Sequence, residues 1–125
     1  MIVAGVGFRR GTTADEIEAV VHQALALHGA ERLDLLATEA GKAGEPAVQE
    51  VAQRLSVALE VCSVSDLEAV AGRLLTRSER VMEATGLPSI AEAAALVAAG
   101  DNGRLLGPRL ATARATCAIA AGDGR

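Results

Sequence analysis

Residues 5–19 read GVGFRRGTTADEIEA. An apolar run spaced by glycines ends in two arginines, and a pair of threonines follows at once. Thr13 with Glu16 three residues later is a capping box, so a helix begins there. Residues 1–8 then read as a short buried strand, and the junction is a tight strand-to-helix turn. That turn carries Arg9, Arg10, Gly11 and Thr12. Adjacent cations at the start of a helix suit an anionic partner, because the free N–H groups of the first turn favour negative charge as well. A second reading stays open: the arginines are solvated, or pair with Asp15 or Glu16. The glycines at 5, 7 and 11 make GxGxxxG, one residue longer than the dinucleotide fingerprint GxGxxG. Close packing of strand on helix explains that spacing equally well.

The helix continues through Ile17, Val20, Val21, Ala24 and Leu25 at helical spacing. His28-Gly29 closes it, with Gly29 as a left-handed C-terminal residue. Residues 33–38 read as a second strand and 39–44 as a loop. Pro46 then stands in the first turn of a helix whose inward stripe is Val48, Val51, Ala52 and Leu55. Residues 57–62 read as a third strand. Ser65 with Glu68 reads as another capping box, opening a helix through about residue 75. Strand–helix alternation of this kind implies parallel strands with right-handed crossovers and helices on both faces.

The last third differs. Residues 78–85 read as a short helical turn ending at Gly86. Ser89 and Glu92 cap an alanine-rich helix that ends at Gly100. Residues 104–106 and 116–121 read as two strands joined by a basic loop, close enough to form a hairpin. The expected fold is therefore a single domain over 1–125: a three-layer α/β/α sandwich with a mixed, mostly parallel sheet and a C-terminal antiparallel hairpin.

Composition narrows the function. Half of the 125 residues are apolar, Phe8 is the sole aromatic, and the net charge is −4. A nucleic-acid binder needs a basic face and stacking aromatics, so no nucleic-acid partner is expected. Cys62 and Cys117 sit in apolar runs and read as reduced core thiols. The spacing of a structural zinc site is missing, and no metal or cofactor is expected. No apolar run reaches about 18 residues, the length that spans a membrane. The start of the chain lacks the basic character of a signal peptide. A cytoplasmic location without a membrane partner is the expectation.

In open parallel sheets, ligands settle beyond the carboxyl ends of the strands. The loops expected there carry Arg9, Arg10, Thr12, Thr13, Thr38, Lys42, Glu45, Ser63 and Ser65. Lys42 and Glu45 are candidates for an acid/base pair, although Glu45 also suits a helix start ahead of Pro46. His22 reads as a surface residue and His28 as a helix-end cation. No GxSxG elbow or HExxH motif occurs.

Taken in order, GVGFRRGT, LATEAGKAGEPAVQEVAQRL, VSDLEAV, EATGLPSIAEAAALVAAG and TCAIA resemble the CobE and CbiG C-terminal domain family of cobalamin biosynthesis. The resemblance runs from about residue 3 to 120. Its most specific parts are the G-x-G-x-R-x-G-T start and the block from Ala84 to Ala95. It implies an α/β domain acting in the corrin branch of tetrapyrrole synthesis. The longer CbiG proteins open the lactone of cobalt-precorrin-5A and release acetaldehyde, using further domains. This chain resembles the stand-alone CobE form. Carried over residue by residue, the family motifs fall on Arg9, Arg10, Gly11 and Thr12; on Thr38, Lys42 and Glu45; and on Thr85, Gly86, Ser89 and Glu92. Two positions depart from the pattern. Phe8 stands where the family often has cysteine, and Arg109 stands in place of a late lysine. The implied ligand is a precorrin or corrin intermediate, a flat macrocycle ringed by carboxylates. The expected ligand-binding set is Phe8, Arg9, Arg10, Gly11, Thr12, Thr38, Lys42, Thr85 and Arg109. Two alternatives stand beside it: a lactone hydrolase, or an auxiliary partner of other cobalamin-biosynthesis enzymes.

Overall fold

The computed structural model describes residues 1–125, apart from the side chain of Ala84. Strand β1 (Ile2–Phe8) leads into helix α1 (Ala14–Leu27), and the expected capping box is present. Thr13 Oγ1 accepts from the Glu16 N–H, while Glu16 accepts from the Thr13 N–H at 2.9 Å. Gly29 adopts φ +65° just past the helix. Strand β2 (Leu35–Glu39) runs into a single helical turn, α2 (Ala40–Ala43), where the sequence suggested plain loop. Pro46 opens α3 (Pro46–Arg54) as expected.

Strand β3 (Ala58–Cys62) passes directly into α4 (Val64–Ala69). Here the cap is Ser63, whose hydroxyl accepts from the Asp66 N–H at 3.1 Å, and not Ser65. The helix therefore starts two residues early. It ends at Ala69 and gives way to a 3₁₀ turn (Ala71–Arg73) before residue 75. Helix α5 (Glu79–Thr85) closes on Gly86 at φ +78°, a backbone conformation that suits glycine. Ser89 caps α6 (Ile90–Ala99). Strands β4 (Arg104–Leu105), β5 (Leu110–Ala111) and β6 (Ala115–Ala121) complete the chain.

The sheet order is β3-β2-β1-β6-β4, with β5 also on β6. Strands β1, β2 and β3 are parallel. The C-terminal strands are antiparallel, as the hairpin expectation requires, and β4 pairs with β6. The longer partner of β6 is β1, matched from Ile2↔Ala121 to Phe8↔Ala115. The antiparallel seam thus runs through the middle of the sheet.

Alternate residues of β1 serve opposite faces. Ala4, Val6 and Phe8 pack with α1 and α3, while Val3 packs with α4 and α6. Three layers result. On the α1–α3 surface, Arg54 bridges Asp15 and Glu18 of one helix to Glu50 of its own. No helix among the described residues is long and apolar enough to cross a membrane.

Helix α6 is buried on every side, from Ile90 to Ala99. Its alanines let it lie almost against the sheet. A Cβ at Gly5 would stand 2.1 Å from the Ala91 carbonyl oxygen and 2.5 Å from the Ala95 amide nitrogen. This packing, rather than phosphate binding, accounts for the first glycine of the motif. Overpacking typically costs about 1–3 kcal/mol. The obstacles here are backbone atoms, so Gly5→Ala is expected to reach the upper end of that range. Urea denaturation followed by circular dichroism, with an unchanged slope, measures this; a loss under about 0.5 kcal/mol would contradict the packing account.

Candidate functional site

A cleft of about 820 Å³ opens at the carboxyl end of β1. Strand order changes direction at β1, with β2 on one side and β6 on the other, which is where ligand crevices form in such sheets. The volume lies toward the upper end of the roughly 300–1,000 Å³ usual for small-molecule sites. Gly7, Phe8, Ile90 and Ala115 supply apolar lining. Five cations face the space: Arg9, Lys42, Arg80, Arg109 and Arg114. Ser78, Thr85, Thr112 and Thr116 add hydroxyls, and Glu39 is the lining carboxylate.

The loop after β1 and the turn before β6 are stitched together. The Arg9 N–H donates to the Arg114 carbonyl at 3.1 Å. The Thr12 hydroxyl donates to the Arg9 carbonyl at 2.6 Å and lies 3.4 Å from the Arg114 carbonyl. Thr12 is buried and positions the backbone of both arginines without lining the cleft. Gly11, at φ +83°, makes the turn possible. Thr38 is also buried, its hydroxyl donating to the Val6 carbonyl at 2.9 Å, so it braces β2 against β1. Lys42, raised on the α2 turn, donates to the Phe8 carbonyl at 2.5 Å and stands 5.2 Å from the centre of the Phe8 ring. At that range the ring face attracts the ammonium.

Of the residues expected from sequence, the structure brings Phe8, Arg9, Lys42, Thr85 and Arg109 to the cleft. Arg10 points outward, three-quarters exposed, with a guanidinium nitrogen 4.0 Å from the Glu45 carboxylate. Glu45 thus faces Arg10, and no ion pair joins it to Lys42 among the described residues. The geometry does not assemble these two into an acid/base pair. His22 pairs with Glu18 on the surface, and His28 occupies the C-cap of α1. Cys62 and Cys117 are free and buried. Burial pushes the Cys62 thiol up to about 11.

Sequence reasoning missed Arg80, Arg114 and Glu39. Val81 and Thr85 are four residues apart with Arg80 beside them, so one face of α5 was already marked. Placing that face over the cleft is a tertiary event. Arg9, Lys42, Arg80 and Arg109 have no carboxylate partner among the ion pairs of the described residues, whereas Arg10, Arg32, Arg54, Arg114 and Arg125 do. Arg114 lies 3.5 Å from Glu16, a loose pair.

Beneath the cleft, Glu92 has no exposed surface. Its Oε1 accepts from the Leu75 and Thr76 N–H groups at 2.7 and 2.9 Å. Its Oε2 accepts from the Thr76 hydroxyl and from the Arg109 N–H at 2.9 Å. Burial alone would raise its pKa. The bonds from Thr76, Arg109 and Leu75 outweigh that and hold it below the ordinary value.

Comparison with known proteins agrees with this architecture. Residues 2–120 match the family described as cobalamin synthesis G C-terminus. Protein CobE of Sinorhizobium sp. is 39% identical over 121 residues, covering 95% of this chain and 79% of that protein. The crystal structure of CobE, a protein from the cobalamin (vitamin B12) biosynthetic pathway, superposes with TM-score 0.92 at 34% identity, covering 100% of this chain and 92% of that one. Cobalamin biosynthesis protein chiG of Agrobacterium tumefaciens str. C58 superposes with TM-score 0.79 at 42% identity, covering 98% and 99%.

Because the carboxyl group of Glu92 binds its proton less readily in the folded chain than in the unfolded one, it stabilises the fold above an unfolded value near 4.5 and stops doing so as pH falls through its lower native value. Glu92→Gln is expected to cost about 2–3 kcal/mol at pH 7, the scale of hydrogen bonds to a charged group. The gap between the two proteins should narrow below pH 4.5. A gap that stays constant from pH 7 to pH 3 would show that the charge contributes nothing.

Proposed function

The chain belongs to the cobalamin synthesis G C-terminus family, and on that premise we propose that it binds a corrin-type tetrapyrrole polycarboxylate in the cleft at the end of β1. It is a protein of the cobalamin-biosynthesis pathway. The observation that carries the ligand reading is the placement of charge. The chain is acidic overall, yet four cations without carboxylate partners converge on one cleft with an apolar floor. Gathering unpaired like charges around one cleft is unfavourable unless an anion joins them. Arginine forks match carboxylates through paired hydrogen bonds. Gly7, Phe8 and Ile90 offer an apolar surface for the face of a macrocycle, while the cations meet its acidic rim.

The residues proposed to touch the ligand are Phe8, Arg9, Lys42, Arg80, Thr85, Arg109 and Arg114. Thr12, Gly11 and Thr38 hold the frame around them. Arg10 is left out of the contact set because its side chain lies outside the cleft. The role that fits this set is binding and presentation of an intermediate, with other enzymes of the pathway as the proposed recipients. Lactone hydrolysis gains no support from Lys42 and Glu45, which face different ways.

Absorbance titration with cobyrinic acid, a corrin whose peripheral acids are free, tests the proposal. Each charge-assisted hydrogen bond is worth about 1.5–3 kcal/mol, so Arg9→Ala and Arg109→Ala should each weaken binding about tenfold or more. Arg10→Ala should stay within about twofold, and affinity should fall as salt screens the cleft. Cobalamin, with its peripheral acids amidated, should bind far more weakly. Equal affinity for both corrinoids, or an unchanged dissociation constant in a folded Arg9→Ala/Arg109→Ala variant, overturns the assignment.

A further inference from the structure

Glu92 is the one charged residue among the described residues with a fully buried side chain. It lies outside the cleft lining, and none of its hydrogen bonds comes from a cationic side chain. Every one of them comes from two chain segments. Residues 75–76 run into Ser78 and α5, which carries Arg80, Val81 and Thr85 to one wall of the cleft. Arg109 begins the run through β5 to Thr112 and Arg114 on the opposite wall.

Helix α5 has little else to hold it. Its described side chains are exposed or half-buried, Met82 among them at 43%. The excursion 78–88 is closed at its neck by the Ser78 N–H donating to the Pro88 carbonyl at 3.2 Å. Immediately before that neck sit the Leu75 and Thr76 amides bound by Glu92. The carboxylate is rooted in the first turn of α6, the most deeply packed helix of the fold.

We infer that Glu92 is a positioning residue, a clasp that joins the α5 flap to the Arg109 segment and so sets the width of the cleft for ring-sized polycarboxylates. The inference rests on the binding reading above. Its chemistry is specific. A carboxylate can accept on both oxygens, and here both are used. A glutamine at this position has one acceptor oxygen and one amino group that only donates. The oxygen can keep the Leu75 and Thr76 N–H groups, and the Thr76 hydroxyl can turn to accept from the amino group. The Arg109 N–H then faces another donor and is left unpaired. Glu92→Gln therefore frees the Arg109 wall while leaving the flap side tied.

Spin labels at Met82→Cys and Ala113→Cys report the width directly, since the native cysteines are buried. The double-labelled protein should give one narrow distance distribution, and adding Glu92→Gln should broaden it. Cobyrinic acid should bind at least tenfold more weakly to Glu92→Gln, whereas citrate, small enough to sit on one wall, should stay within threefold. Val51→Ala, which opens a cavity on the far face of the sheet, controls for lost stability and should leave the distances and both affinities unchanged. Should Glu92→Gln fail to fold, amide hydrogen exchange of the unaltered chain decides instead: the Leu75, Thr76 and Arg109 N–H groups held by Glu92 should be protected together, and fast exchange at Arg109 overturns the clasp. A folded Glu92→Gln with an unaltered distance distribution overturns the clasp. A wild-type protein that ignores cobyrinic acid overturns the ligand reading, and the label distances then judge the clasp on their own.

Discussion

The approach of α6 to β1 is the constraint on which the rest depends. Ten consecutive residues of one helix are buried, and the space left for them is a groove floored by Gly5 and walled by strands and by α4. Only small side chains fit where the helix meets Gly5, at Ala91 and Ala95, and six of the ten helix residues are alanine. Each alanine buries little area, so the gain comes from close contact of many backbone and methyl atoms rather than from large side chains. The second core, between the sheet and α1 and α3, is built conventionally from Ile17, Val20, Val21, Val48 and Val51. The two faces of one sheet thus use different means of packing. The alanine-packed face is the less tolerant, because a tight backbone contact cannot repack around an added carbon.

That constraint also sets where chemistry can occur. With α6 fixed against β1, its first turn lies under the carboxyl end of the strand, beside the loop bearing Arg9 and the turn bearing Arg114. The cleft is what remains between these rigid parts and the lightly packed α5. Its positive character follows from what was left unpaired. Elsewhere on the surface Arg32, Arg54 and Arg125 are matched to carboxylates, while Arg73, Arg77 and Arg104 stand without an ion pair among the described residues but do not share a cleft with the others. Solvent-exposed pairs of that kind add little stability, yet they remove competing sites for an anionic ligand. An acidic protein with one cationic cleft directs a polyacid to a single place.

Local signals carried most of the architecture. The Thr13–Glu16 box, Pro46, Gly86 and Ser89 each act through bonds within a few residues, and each stands where the sequence placed it. Ser65 was misjudged because two serines lie within reach of the same helix, and the strand's end at Cys62 decides between them. The main partner of β6 lies more than a hundred residues away in sequence, so the nearby segment at 104–106 was the legible half of its pairing. At the site, Arg9 and Lys42 were legible from loops at one sheet edge, and Phe8 and Arg109 only through the family resemblance. Arg80 and Arg114 were not, because their orientation depends on how α5 and the β5–β6 turn sit in three dimensions. Thr12 and Thr38 were recognised as important but for contacts they do not make; both are buried braces.

Glu92 shows how a residue can be read correctly at one level and missed at the next. Three positions after Ser89, it looks like the second member of a capping pair, and its N–H does donate to the serine hydroxyl at 3.3 Å. The side chain goes elsewhere. A helix with no polar face has no use for a surface carboxylate, so a charge inside it must be satisfied internally or not be there at all. Backbone N–H groups from two loops meet that requirement without any cation. The arrangement has a consequence a Glu–Arg pair would lack: it leaves Arg109's guanidinium free for the cleft while its amide is held from below. One residue is thereby fixed through its backbone and available through its side chain. A recognition surface made of long, flexible cations needs that division of labour if it is to hold a rigid ring in one orientation.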